Sequence, residues 1–132
     1  MEEMNHKMNL SFPEESHKII GAAMVVHRYF GCGFSEKVYQ DALEVEFKNQ
    51  GIAYQREVQL HAIYNGVSLA STFIPDFICY DNIIIELKAV KELDDKHRSQ
   101  AINYAKVSGL PLSILINFGE HSLKFERFPN IK

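Results

Sequence analysis

The run Ile83-Ile84-Ile85-Glu86-Leu87-Lys88 constrains the fold of this chain more than any other stretch. Three consecutive β-branched aliphatics read as a strand buried on both faces. Such a strand belongs inside a sheet that is covered by helices. The same run then carries a carboxylate at Glu86 and an ammonium at Lys88. Residues two apart on a strand share a face, so the two charges project side by side. Burying a charge without a partner costs several kcal/mol, and the pair therefore needs a physical reason.

Asp76 is a candidate partner, and strand register decides whether it reaches the pair. The preceding strand is expected at about 74–80 and this one at about 83–89. A two-residue turn at Asp81-Asn82 pairs position 77 with 86 and aims Asp76 at the other face. A three-residue loop, Tyr80 to Asn82, pairs 76 with 86 and unites the carboxylates. That loop needs a left-handed residue at its third position, where Asn82 is among the best non-glycine choices. The three-residue loop is the expected geometry. Two carboxylates on one face, completed by water or a backbone carbonyl, suit a Mg²⁺-type ion. Such an ion polarises a phosphoryl oxygen and lowers the pKa of its water. Lys88 would orient that water or stabilise charge developing on a phosphorus centre. An ordinary Glu86–Lys88 ion pair at a strand end fits the spacing equally well.

The remaining periodicity gives the order α-α-β-β-β-β-α-β-β. Ser11-Phe12-Pro13-Glu14 reads as a helix start with Ser11 as cap. Ile19, Ala22, Ala23, Val26 and Phe30 then mark an inward face, and Gly31-Cys32-Gly33 ends the helix. Ser35 caps a second helix that runs to about Asn49 or Gln50. Apolar residues at even positions from 54 to 64 predict a strand. Asn65-Gly66 is a strong hairpin signal, with a partner strand over 67–73. Residues 94–107 predict a helix with Ala101, Ile102, Ala105 and Val107 on or near its apolar side. Strands over Leu112–Asn117 and about 122–128 complete the reading. Residues 1–10 form an expected flexible tail, and 11–132 a single domain.

Composition narrows the function. A net charge of −3 argues against a protein that coats nucleic acid, because each phosphate contact needs a cation. An enzyme with carboxylates at its centre need not be basic. Cys32 and Cys79 have no metal-ligand spacing, and Cys79 is expected as a small buried hydrophobe. The first ten residues hold no apolar signal core and no stretch approaches a membrane span, so a cytoplasmic protein without a membrane partner is expected. His27 is expected as a packed, hydrogen-bonded residue. Glu36 and Tyr39 share a face of the second helix. On spacing alone Glu36 serves the helix dipole and Tyr39 the core. Gln100 shares a face with His97 and Tyr104, and spacing assigns it no task.

Gly33-Phe34-Ser35-Glu36-Lys37-Val38-Tyr39 resembles the signature of the GxxExxY protein family. Asp76-Phe77-Ile78, Ile84 to Val90, Gln100 to Tyr104, and Leu115 to Gly119 resemble its other blocks, in order, across about 14–128. That family is grouped with the PD-(D/E)XK, or restriction-endonuclease-like, superfamily. The resemblance implies an α/β (α+β) core, a central mixed β-sheet flanked by helices. It also implies Asp76 and Glu86 as metal ligands for Mg²⁺ or Mn²⁺, and Lys88 beside the attacking water. Glu36 is implied as a further acidic group at the metal, and Gln100 as an accessory group. The implied activity is hydrolysis of phosphodiester bonds in DNA or RNA. The alternative is a catalytically silent binding or assembly module of the same fold. Relatives of this fold often work as homodimers, and the Asn65-Gly66 hairpin offers a place for a dimer or substrate contact.

Overall fold

A computed structural model describes residues 11–130; the expected tail over 1–10 lies outside them. Helix α1 spans Pro13–Phe30 and α2 spans Glu36–Gln50. The start of α1 differs from expectation. Phe12, at φ 54°, precedes the first turn and no side chain caps it. Pro13 begins the helix instead, because its fixed φ suits the first turn and it has no N–H to satisfy. Ser11 offers its backbone carbonyl to the Arg127 guanidinium. Ser35 does cap α2, accepting from the Val38 N–H, and Gly51 ends it in the left-handed conformation.

The strand expected over 54–64 is two strands, β1 (Tyr54–Arg56) and β2 (Leu60–Tyr64), in different sheets. The order among the described residues is therefore α-α-β-β-β-β-β-α-β-β. Glu57 has φ 53° and turns the chain between them. Even-position alternation cannot distinguish one long strand from two short ones. Among the described residues β2 pairs only with β3 (Val67–Phe73), through the expected Asn65-Gly66 turn, whose residues both have positive φ. β4 (Phe77–Cys79), β5 (Ile83–Lys88), β6 (Leu112–Asn117) and β7 (Lys124–Pro129) join β1 in a five-stranded sheet of order β1-β4-β5-β6-β7. Only β5 and β6 run parallel; the other neighbours are antiparallel. The parallel pair needs a crossover, which α3 (Asp95–Ser108) supplies. The mixed sheet flanked by helices is the expected fold.

Strand alternation sorts the sheet into two faces. Phe77, Cys79, Ile83, Ile85, Leu87, Ile114 and Ile116 join Ile19, Tyr39, Leu43 and Phe47 in the main core beneath α1 and α2. The opposite face carries Glu86 and Leu115, with Leu115 in a smaller cluster with Leu93 and Ala101. Each aliphatic buried this way contributes about 1.5–3 kcal/mol. Ile102 was expected near the buried side of α3 but is 45% exposed. Ala101 and Ala105 are the buried residues of that helix, and their small side chains let it sit close to the sheet. The Cys79 thiol is fully buried, and desolvation pushes its pKa up to about 12.

Candidate active site

The β4–β5 register is Phe77↔Ile85, Ile78↔Ile84 and Cys79↔Ile83. Residues 80–82 are thus a three-residue loop, and one further step sets Asp76 opposite Glu86. The left-handed residues are not where expected. Tyr80 and Asp81 have φ 54° and 58°, and the Asn82 N–H closes the turn onto the Cys79 carbonyl at 3.1 Å. Asn82 instead donates its side-chain amide to the Tyr80 carbonyl at 3.0 Å. A primed turn places positive φ at both central residues, and the extra residue after it lengthens the loop to three.

Asp76 is half-buried, and its Oδ2 accepts the Leu87 N–H at 2.7 Å. This bond fixes the first carboxylate against the strand that holds the second. Glu86 is 5% exposed, and its Oε1 is inaccessible and without a hydrogen-bond partner. Burial pushes the Glu86 carboxyl up to about 8; neighbouring Asp76 raises it further and Lys88 opposes the rise. Burial also raises Asp76. The Leu87 N–H opposes that shift, the Glu36 and Glu57 charges add to it, and Lys88 opposes it.

Lys88 lies on the same strand face as Glu86 and is half-buried. Among the described residues it forms no ion pair within 4.0 Å. The ordinary Glu86–Lys88 ion pair is therefore absent. A polar atom left unpartnered in the interior carries a penalty of about 1–3 kcal/mol, more for a charged group. An oxygen-only donor set of this kind suits a hard divalent cation that keeps several waters, and the residues present fit such an ion. No three His, Cys, Asp or Glu side chains form a ready ligand cluster among the described residues, so water and backbone carbonyls would complete the coordination.

Three elements close around this pair. Glu36, in the first turn of α2, is exposed and its charge is felt at Asp76. One turn on, the buried Gln40 donates to the Asp76 carbonyl at 3.4 Å. Gln40 was not anticipated; its spacing of four from Glu36 was the available signal. Glu57, also unanticipated, donates its N–H to the same Asp76 carbonyl at 3.2 Å. From α3, Gln100 donates to the Tyr104 hydroxyl at 3.2 Å. Burial, then the Glu86 charge, raises the Tyr104 pKa, which puts that hydroxyl in the field of the carboxylates. Phe73 lies against Tyr104 at 4.5 Å between ring centroids.

Tyr39 does not reach the carboxylates. It is fully buried, stacks on Phe118 at 4.6 Å, donates its hydroxyl to the Gly31 carbonyl at 2.5 Å and accepts the Phe34 N–H at 3.3 Å. Its task is to fasten the α1–α2 connection that delivers Glu36. His27 is packed as expected, with Nε2 2.9 Å from the Glu120 carbonyl.

Asn117 holds the far end of β5. Its Oδ1 accepts the Val90 and Gly119 N–H groups, each at 3.0 Å. Its Nδ2 donates to the Val90 carbonyl and Glu120 Oε2, each at 2.9 Å. The Phe118 N–H donates to the Lys88 carbonyl at 2.8 Å. A Cβ at Gly119 would stand 2.2 Å from the Val90 carbonyl oxygen, so only glycine permits this approach.

A family model described as the PD-(D/E)XK nuclease superfamily matches residues 13–128. The crystal structure of SSO0001 is similar, with a TM-score of 0.56 at 16% sequence identity. The match covers 74% of this chain and 51% of that one, so the chain spans about half the length of that protein. At this identity the likeness bears on the fold alone. No curated protein matches the chain.

Proposed function

The chain belongs to the PD-(D/E)XK nuclease superfamily, and on that premise we propose that it is a divalent-metal-dependent nuclease hydrolysing phosphodiester bonds of DNA or RNA. The observation that carries this reading is the buried, unpartnered Glu86 Oε1 beside Asp76. Asp76 and Glu86 would offer carboxylate oxygens to Mg²⁺ or Mn²⁺, with Glu36 at the α2 terminus a further acidic group at the metal, either as a ligand or as an acceptor for its waters. When bound, the ion supplies Lewis acidity and a water of lowered pKa.

The chain's own groups do the rest. The Leu87 N–H keeps Asp76 oriented, so its carboxylate need not reorganise as charge develops. Lys88, free of a competing ion pair, donates its ammonium hydrogens to the attacking oxygen or to the phosphoryl oxygens as they gain charge. Gln100, tethered by Tyr104, contacts water or phosphate. The motif at Gly33, Glu36 and Tyr39 supports membership of the GxxExxY group. Residues 11–132 act as one cytoplasmic domain, and a homodimer is its working form.

A catalytically silent binding or assembly module is the second reading, favoured by the net charge of −3. The deciding experiment is a cleavage screen with Mg²⁺ and Mn²⁺ across single- and double-stranded DNA and RNA, run beside Lys88→Ala. The nuclease reading expects cleavage that chelation abolishes and that the substitution lowers by about 10²–10³. Undiminished cleavage by Asp76→Ala would remove this site from the reaction, and absence of metal binding at millimolar concentration supports the module.

A further inference from the structure

We infer that the β2–β3 hairpin is a base-contacting platform and that the substrate is single-stranded nucleic acid; the inference rests on the nuclease reading. β3 leads through Ile74 and Pro75 directly into Asp76. The base of the hairpin is seated at the site, where Phe73 contacts Tyr104. Its tip is not seated. The pairs Leu60↔Phe73 and Tyr64↔Val67 mark the two ends of one hairpin surface, and Val67, Leu69 and Phe73 fall on one row of β3. Tyr64 is 66% exposed and Val67 60%, with Leu69 also exposed and Ser71 the one polar residue in the row. An apolar, aromatic-bearing stripe thus runs from the carboxylates out to the hairpin tip.

Charge identifies what can lie on it. No Lys or Arg occurs from Glu57 to Leu87, while Lys88, Lys91 and Lys96 follow in close succession. The hairpin therefore has no Lys or Arg with which to grip the phosphates of a duplex, whose bases are stacked away from such a surface. Unpaired bases present π-faces that aromatic and apolar side chains bind without regard to sequence. A single strand meets both demands: bases toward Tyr64 and Phe73, phosphates toward the ammonium groups that begin at Lys88. The acidic net charge is then no obstacle, because affinity comes from stacking rather than from a basic groove.

The test measures binding to the unsubstituted protein in chelator, which blocks cleavage, using a labelled single strand and the duplex made from it. The single strand is expected to bind about tenfold or more tightly than the duplex. Adding Tyr64→Ala should weaken single-strand binding about tenfold, the scale of one stacked base, while Tyr64→Phe, which keeps the ring, should retain it. Unchanged single-strand binding with Tyr64→Ala, or an equal loss on duplex, overturns the inference. Conversion of a dimer to a monomer by Tyr64→Ala also overturns it, since the stripe would then be a contact between copies. Metal-dependent cleavage by the unsubstituted chain, measured in parallel, assigns such a failure to the hairpin; its absence assigns the failure to the nuclease reading.

Discussion

Asp76 Oδ2 accepts the backbone N–H of Leu87 at 2.7 Å, so one carboxylate of the pair is locked to the strand that carries the other, Glu86. The consequence is a short, fixed separation between two acidic side chains in a desolvated place. Like charges so placed do not both ionise readily. Burial raises both carboxyl pKa values, and at Glu86 the Asp76 charge adds to the rise, which makes the pair a poor structural element but a good receptor for a cation.

Stability of the metal-free protein should fall as pH rises. Glu86 titrates near 4.5 when unfolded and at about 8 when folded. Between those values the folded state holds more protons, so the stabilisation is full below about 4.5 and is lost as pH rises through 8. The slope is at most about 1.4 kcal/mol per pH unit for one such group. Thermal melts from pH 5 to 8 check this: the melting temperature should decline with pH, and Glu86→Gln should flatten the decline.

Lys88→Ala should lower kcat by about 10²–10³, the loss expected when one preorganised donor to developing charge is removed. Single-turnover cleavage with saturating Mn²⁺ is the measurement. The fold should persist, because the Lys88 side chain forms no ion pair among the described residues.

Asn117→Ala should destabilise the protein by about 2–4 kcal/mol. The substitution deletes four hydrogen bonds and leaves the part-buried Val90 N–H and C=O without their Asn117 partner, each a penalty when left unpaired. Urea denaturation reads the change. Activity should also fall, because the same bonds hold the chain that follows Lys88.

Asp94→Ala tests the opposite case. Asp94 caps α3 in a reciprocal box with His97 and is itself exposed to solvent. Its loss should cost about 1 kcal/mol and leave kcat for cleavage nearly unchanged.

Most of this arrangement was legible in the residues. The aliphatic run at Ile83 named the central strand, and the length of the Tyr80–Asn82 loop set the register that aligns 76 with 86. The identity of the left-handed residues was not legible. Asn82 had the best intrinsic preference, yet the hydrogen bond from its N–H to Cys79 selects Tyr80 and Asp81 for that conformation. Glu57 was hidden for a similar reason. Alternation carried the strand through it, and only the turn there brings its N–H to Asp76. Gln40 and Asn117 act through backbone groups distant in sequence, which spacing within one element does not reveal. Ser11 failed as a cap because proline can begin a helix without one.

The most direct measurement is calorimetric titration of the metal-free protein with Mn²⁺, compared with Glu86→Gln. The amide resembles the protonated carboxyl that burial already favours, so the variant should fold. One ion is expected to bind the unsubstituted chain, with proton release near neutral pH, and binding should be lost in the variant. Equal binding by both proteins, or none by either, would contradict a cation held at Asp76 and Glu86.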